Sequence, residues 1–180
     1  SGLGSILSTW TMRTPTLPNW CRGVCWTLGT FGLASAIVTI APRVGSPWPL
    51  EWMEGASLQH ALRLLEGKAV YGPPSAEFVP FVYPPLAYAP MALSAWLSAP
   101  SLVAARVPSL VAWLVSLWCL ARVIRRETGE LAFGVLGAGL FALGFGYTGA
   151  FADLARVDSV FVALLLVAAE RVSAARLGQG

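Results

Sequence analysis

Long uncharged apolar stretches dominate the pattern of hydrophobic and polar positions along this chain. An α-helix needs about 20 apolar residues to cross the hydrocarbon core of a bilayer. Short polar segments separate most of these stretches, and one long polar segment follows the first. The pattern therefore predicts an all-α fold of polytopic membrane helices. We expect a single membrane module over residues 1–180, with spans at about 23–42, 107–124, 131–150 and 158–175.

One apolar stretch, residues 78–100, differs because prolines interrupt it at four internal positions, Pro80, Pro84, Pro85 and Pro90. A broken helix persists at membrane depth only where protein or a cavity surrounds it. If residues 78–100 do not cross the membrane, most basic residues lie on the cytoplasmic side, as the positive-inside rule favours. These are Arg13, Arg22, Arg122, Arg125, Arg126, Arg171 and Arg176. We therefore predict four spans, an external loop at 43–77 and a non-spanning apolar segment at 78–100.

Composition supports the membrane interpretation and excludes other classes. The chain is 56% hydrophobic and 12% charged, with a mean hydropathy of +0.66. A soluble domain carries about twice that share of charged residues, so we expect membrane lipids as partners. The net charge of +3 is small, and no basic stretch interleaves aromatic residues as a nucleic-acid binder would. Three scattered cysteines are interpreted as small apolar residues.

The external loop is predicted to contain a juxtamembrane amphipathic helix at 50–66. On a helical wheel its apolar residues form an arc of about 100°, and Glu54 projects into that arc with Glu51 at its margin. Two interpretations remain open for these carboxylates. They can complement the helix dipole in the first turn, or one can act as a general base or metal ligand aimed into a cavity. His60, the only histidine, is expected on the polar side.

The turn before the last apolar stretch concentrates charge, with Asp153, Arg156 and Asp158 within six positions. Asp158 could be a helix N-cap, and Arg156 could extend towards lipid headgroups. Three charges between two apolar helices are nevertheless costly unless they face one another or a ligand. In the four-span topology this turn and the external loop share the outer face. We find no Ser/His/Asp arrangement and no zinc-ligand spacing.

Four motifs occur in order across roughly residues 50–165 and together resemble a known family. They are Glu54-Gly55 followed by HALRLLEGK and Tyr71; Tyr83-Pro84-Pro85-Leu86; Ala105-Arg106-Val107-Pro108-Ser109; and Ala155-Arg156-Val157-Asp158-Ser159. This order resembles the N-terminal portion of bacterial glycosyltransferases of the GT-C fold that use polyprenyl-phosphate sugars. The family includes protein mannosyltransferases and the aminoarabinose transferase of lipid A.

The resemblance implies a GT-C-like module that transfers a sugar, with inversion, from a polyprenyl-phosphate donor to a lipid or glycan acceptor. The reaction would occur at the extracytoplasmic face of a bacterial inner (plasma) membrane. Glu54 and Asp158 are the implied catalytic acids, and they should meet in one pocket. Glu51 is the alternative, because Met53 stands where the family has a catalytic Asp.

The substrate-binding residues implied by the same motifs are Arg156, Arg106, His60, Tyr83 and Lys68. No metal ligands are assigned, although a divalent metal ion is left open as a cofactor. Such enzymes continue through more spans, so further transmembrane spans or subunits are expected as partners. The alternative hypothesis is a non-catalytic membrane scaffold or transporter segment that binds lipid headgroups or partner helices.

Overall fold

The computed structural model of this chain describes residues 18–149 and 151–177, and all regular structure within these ranges is helical. This confirms the all-α prediction. Three short 3-10 turns lie at Pro85–Ala87, Gly144–Gly146 and Phe151–Asp153. The α-helices are α1 (Asn19–Val44), α2 (Met53–Leu65), α3 (Ala89–Ser98), α4 (Leu102–Thr128), α5 (Leu131–Leu143) and α6 (Asp158–Leu177).

Two helices are long and apolar enough to span a membrane. They are α1, with 26 residues, and α4, with 27 residues, whose 18-residue apolar windows have mean hydropathies of 1.7 and 1.8. At 1.5 Å per residue each is about 40 Å long. Only 28% of the apolar window in each is buried, whereas the core helix of a soluble protein would be mostly covered. Helix α5 with its 3-10 extension, Leu131–Gly146, is apolar but shorter, so the other two spans stay predictions.

Small residues allow α1 and α5 to pack at close range. A Cβ atom added at Gly29 would lie 2.6 Å from the carbonyl oxygen of Val135, and one at Gly32 would collide with the backbone of Gly139. Helix α4 packs against both α5 and α6. Small residues at helix contacts are typical of membrane bundles, where close van der Waals packing replaces the hydrophobic effect.

Ion pairs distinguish the two ends of this bundle. At one end Arg22 pairs with Glu130 at 2.5 Å, joining the start of α1 to the α4–α5 turn. At the other end Arg43, in the last turn of α1, pairs with Asp153 at 2.7 Å. The external loop and the turn before α6 therefore lie at the same end, as the four-span topology requires. That topology relative to a membrane stays a prediction, and Arg13, which it assigns to the cytoplasmic side, lies outside the described residues.

Element boundaries differ from the sequence prediction at several places. Helix α2 is shorter than the expected 50–66, and α4 is longer than the expected 107–124, since Ser101 caps its start by accepting from the Ala104 N–H at 3.1 Å. The predicted span at 131–150 ends early, because a run of glycines unwinds α5 after Leu143. Ala150, the last residue of that predicted span, is not described.

Residues 78–100 contain only one 3-10 turn and the ten-residue helix α3. A helix of ten residues is about 15 Å long, about half the thickness of a hydrocarbon core. Pro90 lies in the first turn of α3. Backbone N–H groups in the first turn have no acceptor within the helix, so proline, which lacks an N–H, is tolerated there. The prolines thus delay and shorten the helix in this segment.

Candidate functional site

A buried ion pair holds α2 against α4. The guanidinium of Arg106 donates two parallel hydrogen bonds to the carboxylate of Glu54, from Nε to Oε1 and from Nη2 to Oε2, both at 2.8 Å. Both side chains are fully buried. Two parallel bonds of this kind are the strongest arrangement for an Arg–carboxylate pair. The pair brings the first turn of α2 onto the second turn of α4.

Arg106 also donates hydrogen bonds to backbone carbonyl groups at the end of α1 and in the chain that follows it. Its remaining donors reach the carbonyl oxygens of Arg43, Val44 and Ser46 from Nη1 and that of Trp48 from Nη2, at 2.7–3.3 Å. The last carbonyl groups of a helix have no partner within the helix. A cation at this position also complements the helix dipole. Arg106 therefore caps α1 and fixes the path of the external loop.

The carboxylate of Glu54 accepts two further bonds, from the Leu50 N–H at 2.7 Å and the Ala155 N–H at 2.9 Å. Burial raises the pKa of Glu54, but the hydrogen bonds from Arg106 and from these two backbone groups outweigh burial, and the pKa is lowered. The carboxylate is therefore ionised and shielded from water, with both oxygens engaged.

These contacts correct two expectations. A general base needs contact with the proton that it removes, and Glu54 has no access to an acceptor hydroxyl. Arg106 has its donors occupied by protein groups and cannot clamp a phosphate. Glu54 and Arg106 are structural residues here, and the catalytic and substrate-binding roles implied for them are not supported.

A second ion pair supports the same end of the bundle. Arg43 donates to Asp153 from Nε at 2.7 Å and from Nη2 at 3.3 Å, and its guanidinium lies 5.6 Å from the ring centre of Phe145. Asp153 is fully buried. Burial raises the pKa of Asp153 more than Arg43 lowers it, and the nearby charge of Glu54 raises it further. This pair fixes the turn that leads into α6.

Next to these buried pairs lies a more accessible group, which we call the Arg156 cluster: Glu51, Met53, Tyr83, Arg156 and Asp158. Arg156 donates to Asp158 at 2.8 Å and to the Met53 sulfur at 3.2 Å, and it lies 3.5 Å from both the Glu51 carboxylate and the Tyr83 hydroxyl. Three separate segments of the chain thus supply one cluster. The side chains of Asp158, Glu51 and Arg156 are 41%, 18% and 12% exposed, so the cluster is open to a ligand mainly at Asp158.

The cation at the centre of the cluster is held in place. Its guanidinium lies 4.2 Å from the ring centre of Phe151, within the range of a cation–π contact. Burial lowers the pKa of Arg156, but the hydrogen bond and the charge of Asp158 raise it by more. Arg156 therefore stays positive. No sequence pattern points to Phe151, because an irregular turn separates it from Arg156.

An apolar cavity of about 280 Å³ adjoins the cluster between α4, α5 and α6. Asp158 belongs to both the cluster and the cavity wall. The wall is largely aromatic and aliphatic, with hydroxyl groups at intervals. Its residues include Trp113, Ser116, Phe141, Phe145, Thr148, Phe151, Ser159 and Val162. A charged group beside an apolar cavity fits an amphiphilic ligand with a polar head and a hydrocarbon part.

His60 does not lie on the polar side of α2, and that prediction is wrong. It is fully buried, and its ring stacks on Phe81 and Tyr88 with centroid distances of 5.1 and 4.8 Å. Nδ1 donates to the Ala56 carbonyl at 2.7 Å, and Nε2 accepts from the Phe81 N–H at 3.0 Å. With both nitrogens engaged, His60 is a core residue and not a substrate ligand.

Lys68 also lies apart from the Arg156 cluster. Its ammonium pairs with Glu66 at 2.7 Å, and both side chains are more than half exposed. Both residues line a polar pocket between α2 and residues 75–78. The substrate-binding role implied for Lys68 has no support from this position. Of the expected site residues, the structure brings Glu51, Tyr83, Arg156 and Asp158 into one cluster and pairs Glu54 with Arg106 in another. The cavity is lined by Asp158 but not by Glu54, so the expectation that these two acids meet in one pocket is not met.

Within the described ranges, no three His, Cys, Asp or Glu side chains converge as ligands of a metal ion would. Cys25 and Cys119 are buried free thiols, and Cys21 is a half-buried one. The carboxylates of Glu51 and Asp158 are each engaged with Arg156, which supplies the positive charge at this site.

Comparison with known proteins adds no relative: no family model matches the sequence, and no curated protein or solved structure matches it. The candidate site therefore rests on the geometry of the Arg156 cluster and of the cavity beside it.

Proposed function

We propose that this chain is the N-terminal membrane module of a GT-C-like glycosyltransferase at the extracytoplasmic face of a bacterial inner membrane. Its donor would be a polyprenyl-phosphate sugar, and its acceptor a hydroxyl of a lipid or glycan. The observation that carries the proposal is the position of Asp158, which belongs both to a cluster centred on a cation and to an apolar cavity. A prenyl phosphate has the matching combination of an anionic head and an apolar chain.

The chemistry follows from the accessible residues of the cluster. The acceptor oxygen attacks the anomeric carbon, the bond from that carbon to the phosphate oxygen breaks, and the phosphate leaves with the electron pair. Asp158 is the more exposed carboxylate and takes the acceptor proton, with Glu51 as the second acid. Arg156 stabilises the negative charge on the departing phosphate, as fixed cations do in other transfer reactions.

A second candidate function is a non-catalytic module that binds anionic headgroups. Met53 favours it, because its sulfur lies 3.2 Å from Arg156 at the position where the family that the sequence resembles has an acid. A thioether accepts no proton at neutral pH, so a cluster built around it can retain binding without catalysis.

The two candidates are separated by measuring transfer and binding on the same samples. The full chain is reconstituted in liposomes and given radiolabelled polyprenyl-phosphate sugars. We expect Asp158→Asn to lower transfer by about 10²–10⁴, the usual contribution of a general base, while donor binding persists. Arg156→Met should weaken donor binding. Glu66→Gln, an exposed acid on the same external region, is the matched control and should change neither.

Each outcome decides between the candidates. Binding without transfer by the unmodified chain favours the headgroup-binding module. Transfer that survives in both Asp158→Asn and Glu51→Gln removes the cluster from the mechanism. Absence of both binding and transfer by the unmodified chain contradicts both candidates.

A further inference from the structure

The end of the bundle opposite the Arg156 cluster carries an excess of positive charge. Its arginine patch consists of side chains from the last turns of α4 and α6: Arg122, Arg125, Arg126, Arg171 and Arg176. Arg22 of α1 lies at the same end, paired with Glu130. The other acids there are Glu127 and Glu170. In the described part of the chain, six arginines therefore face three glutamates.

Glu170 fixes part of the patch in place. It is buried, and its carboxylate pairs with Arg126 at 2.7 Å and with Arg122 at 3.1 Å. Glu127 is instead engaged with the hydroxyl of Ser173 at 2.7 Å. Arg171 lies 3.9 Å from the same carboxylate, so one carboxylate serves three guanidinium groups, which leaves donors of these arginines for another anion. Arg125 is exposed and forms no ion pair within the described residues.

An exposed tryptophan indicates the depth at which the patch would lie in a membrane. Trp118 is 53% exposed and lies one turn before Arg122 on α4, with the guanidinium 4.5 Å from its ring centre. Tryptophan is enriched at the boundary between hydrocarbon and headgroups. The helix turn beyond Trp118, which carries Arg122 and Arg125, would then lie at the level of the phosphates.

We infer that the arginine patch binds the headgroup phosphates of anionic phospholipids in the leaflet opposite the Arg156 cluster. The excess of positive charge favours anionic over zwitterionic lipids, because each basic residue near a negatively charged leaflet adds its own electrostatic attraction to the binding energy. The inference depends on insertion of the bundle in a bilayer but not on sugar transfer, so it can fail or succeed independently of the proposed enzyme.

The test measures lipid selectivity of the purified full chain. Native mass spectrometry in a neutral detergent gives the ratio of bound phosphatidylglycerol to bound phosphatidylcholine at equal lipid concentrations. Combined Arg122→Gln and Arg125→Gln substitutions should lower this preference by about twenty-five-fold, since each charge contributes about fivefold. The same positions changed to lysine should retain it within a few-fold. Arg63→Gln, at the opposite end, is the matched control and should leave the preference unchanged.

Three results would overturn the inference. The unmodified chain could show no preference for phosphatidylglycerol, or the lysine variant could lose selectivity as fully as the glutamine variant. Soluble glycerol 3-phosphate could displace the lipid at equal concentration, which would indicate a site for a free phosphate instead. A melting temperature in phosphatidylcholine that matches the unmodified chain shows that each variant is folded.

Discussion

Replacing Glu54 with glutamine should strongly destabilise the end of the bundle that carries the Arg156 cluster. In the native protein the two carboxylate oxygens accept from Arg106, from the Leu50 N–H and from the Ala155 N–H. A glutamine amide has one oxygen and one NH₂ group, so in either orientation a donor faces other donors. The buried charge of Arg106 also loses its partner.

The expected loss is about 3–5 kcal/mol, the usual effect of removing one partner from a buried ion pair. For a chain of 180 residues, each kcal/mol shifts the melting temperature by about 2–4 °C. We therefore expect Glu54→Gln to melt about 6–20 °C below the unmodified chain in detergent. The assay is thermal unfolding followed by circular dichroism and by size-exclusion chromatography.

Two controls separate this effect from a general sensitivity of the external loop. Glu66→Gln alters an exposed acid and should change stability by less than about 0.5 kcal/mol. The variant Arg106→Met, on α4 and not in the loop, leaves Glu54 without its cation and frees the four carbonyl groups that Arg106 satisfies, so it should destabilise the protein at least as strongly as Glu54→Gln. A melting temperature for Glu54→Gln within about 2 °C of the unmodified chain would refute the structural role.

The pH dependence has a definite sign. The folded-state pKa of Glu54 lies below the ordinary value of 4.5, since the bonds from Arg106 and the backbone outweigh burial. Its contribution to stability is therefore complete above pH 4.5 and is lost as the pH falls through the folded-state value. The melting temperature of the unmodified chain should fall on the acid side more steeply than that of Glu54→Gln. Parallel curves for the two proteins between pH 7 and pH 3 would contradict the ion-pair argument.

Three other variants test the remaining features. Met53→Asp places a carboxylate beside Arg156 and should raise sugar transfer in the liposome assay by up to about 10²; an unchanged rate, with Met53→Leu as control, would argue against catalysis at the cluster. Gly32→Ala forces a methyl group into the backbone of α5 and should cost about 1–3 kcal/mol in thermal unfolding. Gly23→Ala on the same helix has open space and should be neutral or stabilise by up to about 1 kcal/mol; equal effects would contradict the tight α1–α5 contact. Asp153→Asn removes the charge that pairs with Arg43 at 2.7 Å but keeps one oxygen as an acceptor, and it should cost about 1.5–3 kcal/mol; a loss below about 0.5 kcal/mol would show that this pair does not fix the turn.

The local pattern of the sequence was sufficient to predict the all-helical fold and the separation of α2 from the first apolar helix. Apolar periodicity and proline positions depend on neighbours a few residues away, and these determine where helices can form. The same reasoning placed Glu54 on the covered face of α2, which the structure confirms. It also placed Arg156 and Asp158 in one turn, where they are joined by a hydrogen bond at 2.8 Å.

The tertiary structure decided what these residues can do. A helical wheel assumes one solvated face, but α2 is covered on a second side by residues 78–81, and so His60 is buried. Arg106 meets carbonyl groups about 60 positions earlier in the chain, a contact that no local pattern encodes. Arg106 and the backbone bonds to Glu54 make that buried carboxylate a structural anion, whereas the carboxylate of Asp158 stays 41% exposed. Local sequence determines the conformational preference of each segment. The charge state and accessibility of a side chain depend instead on its desolvation and its hydrogen-bond partners, and these come from segments that meet only when the chain is folded.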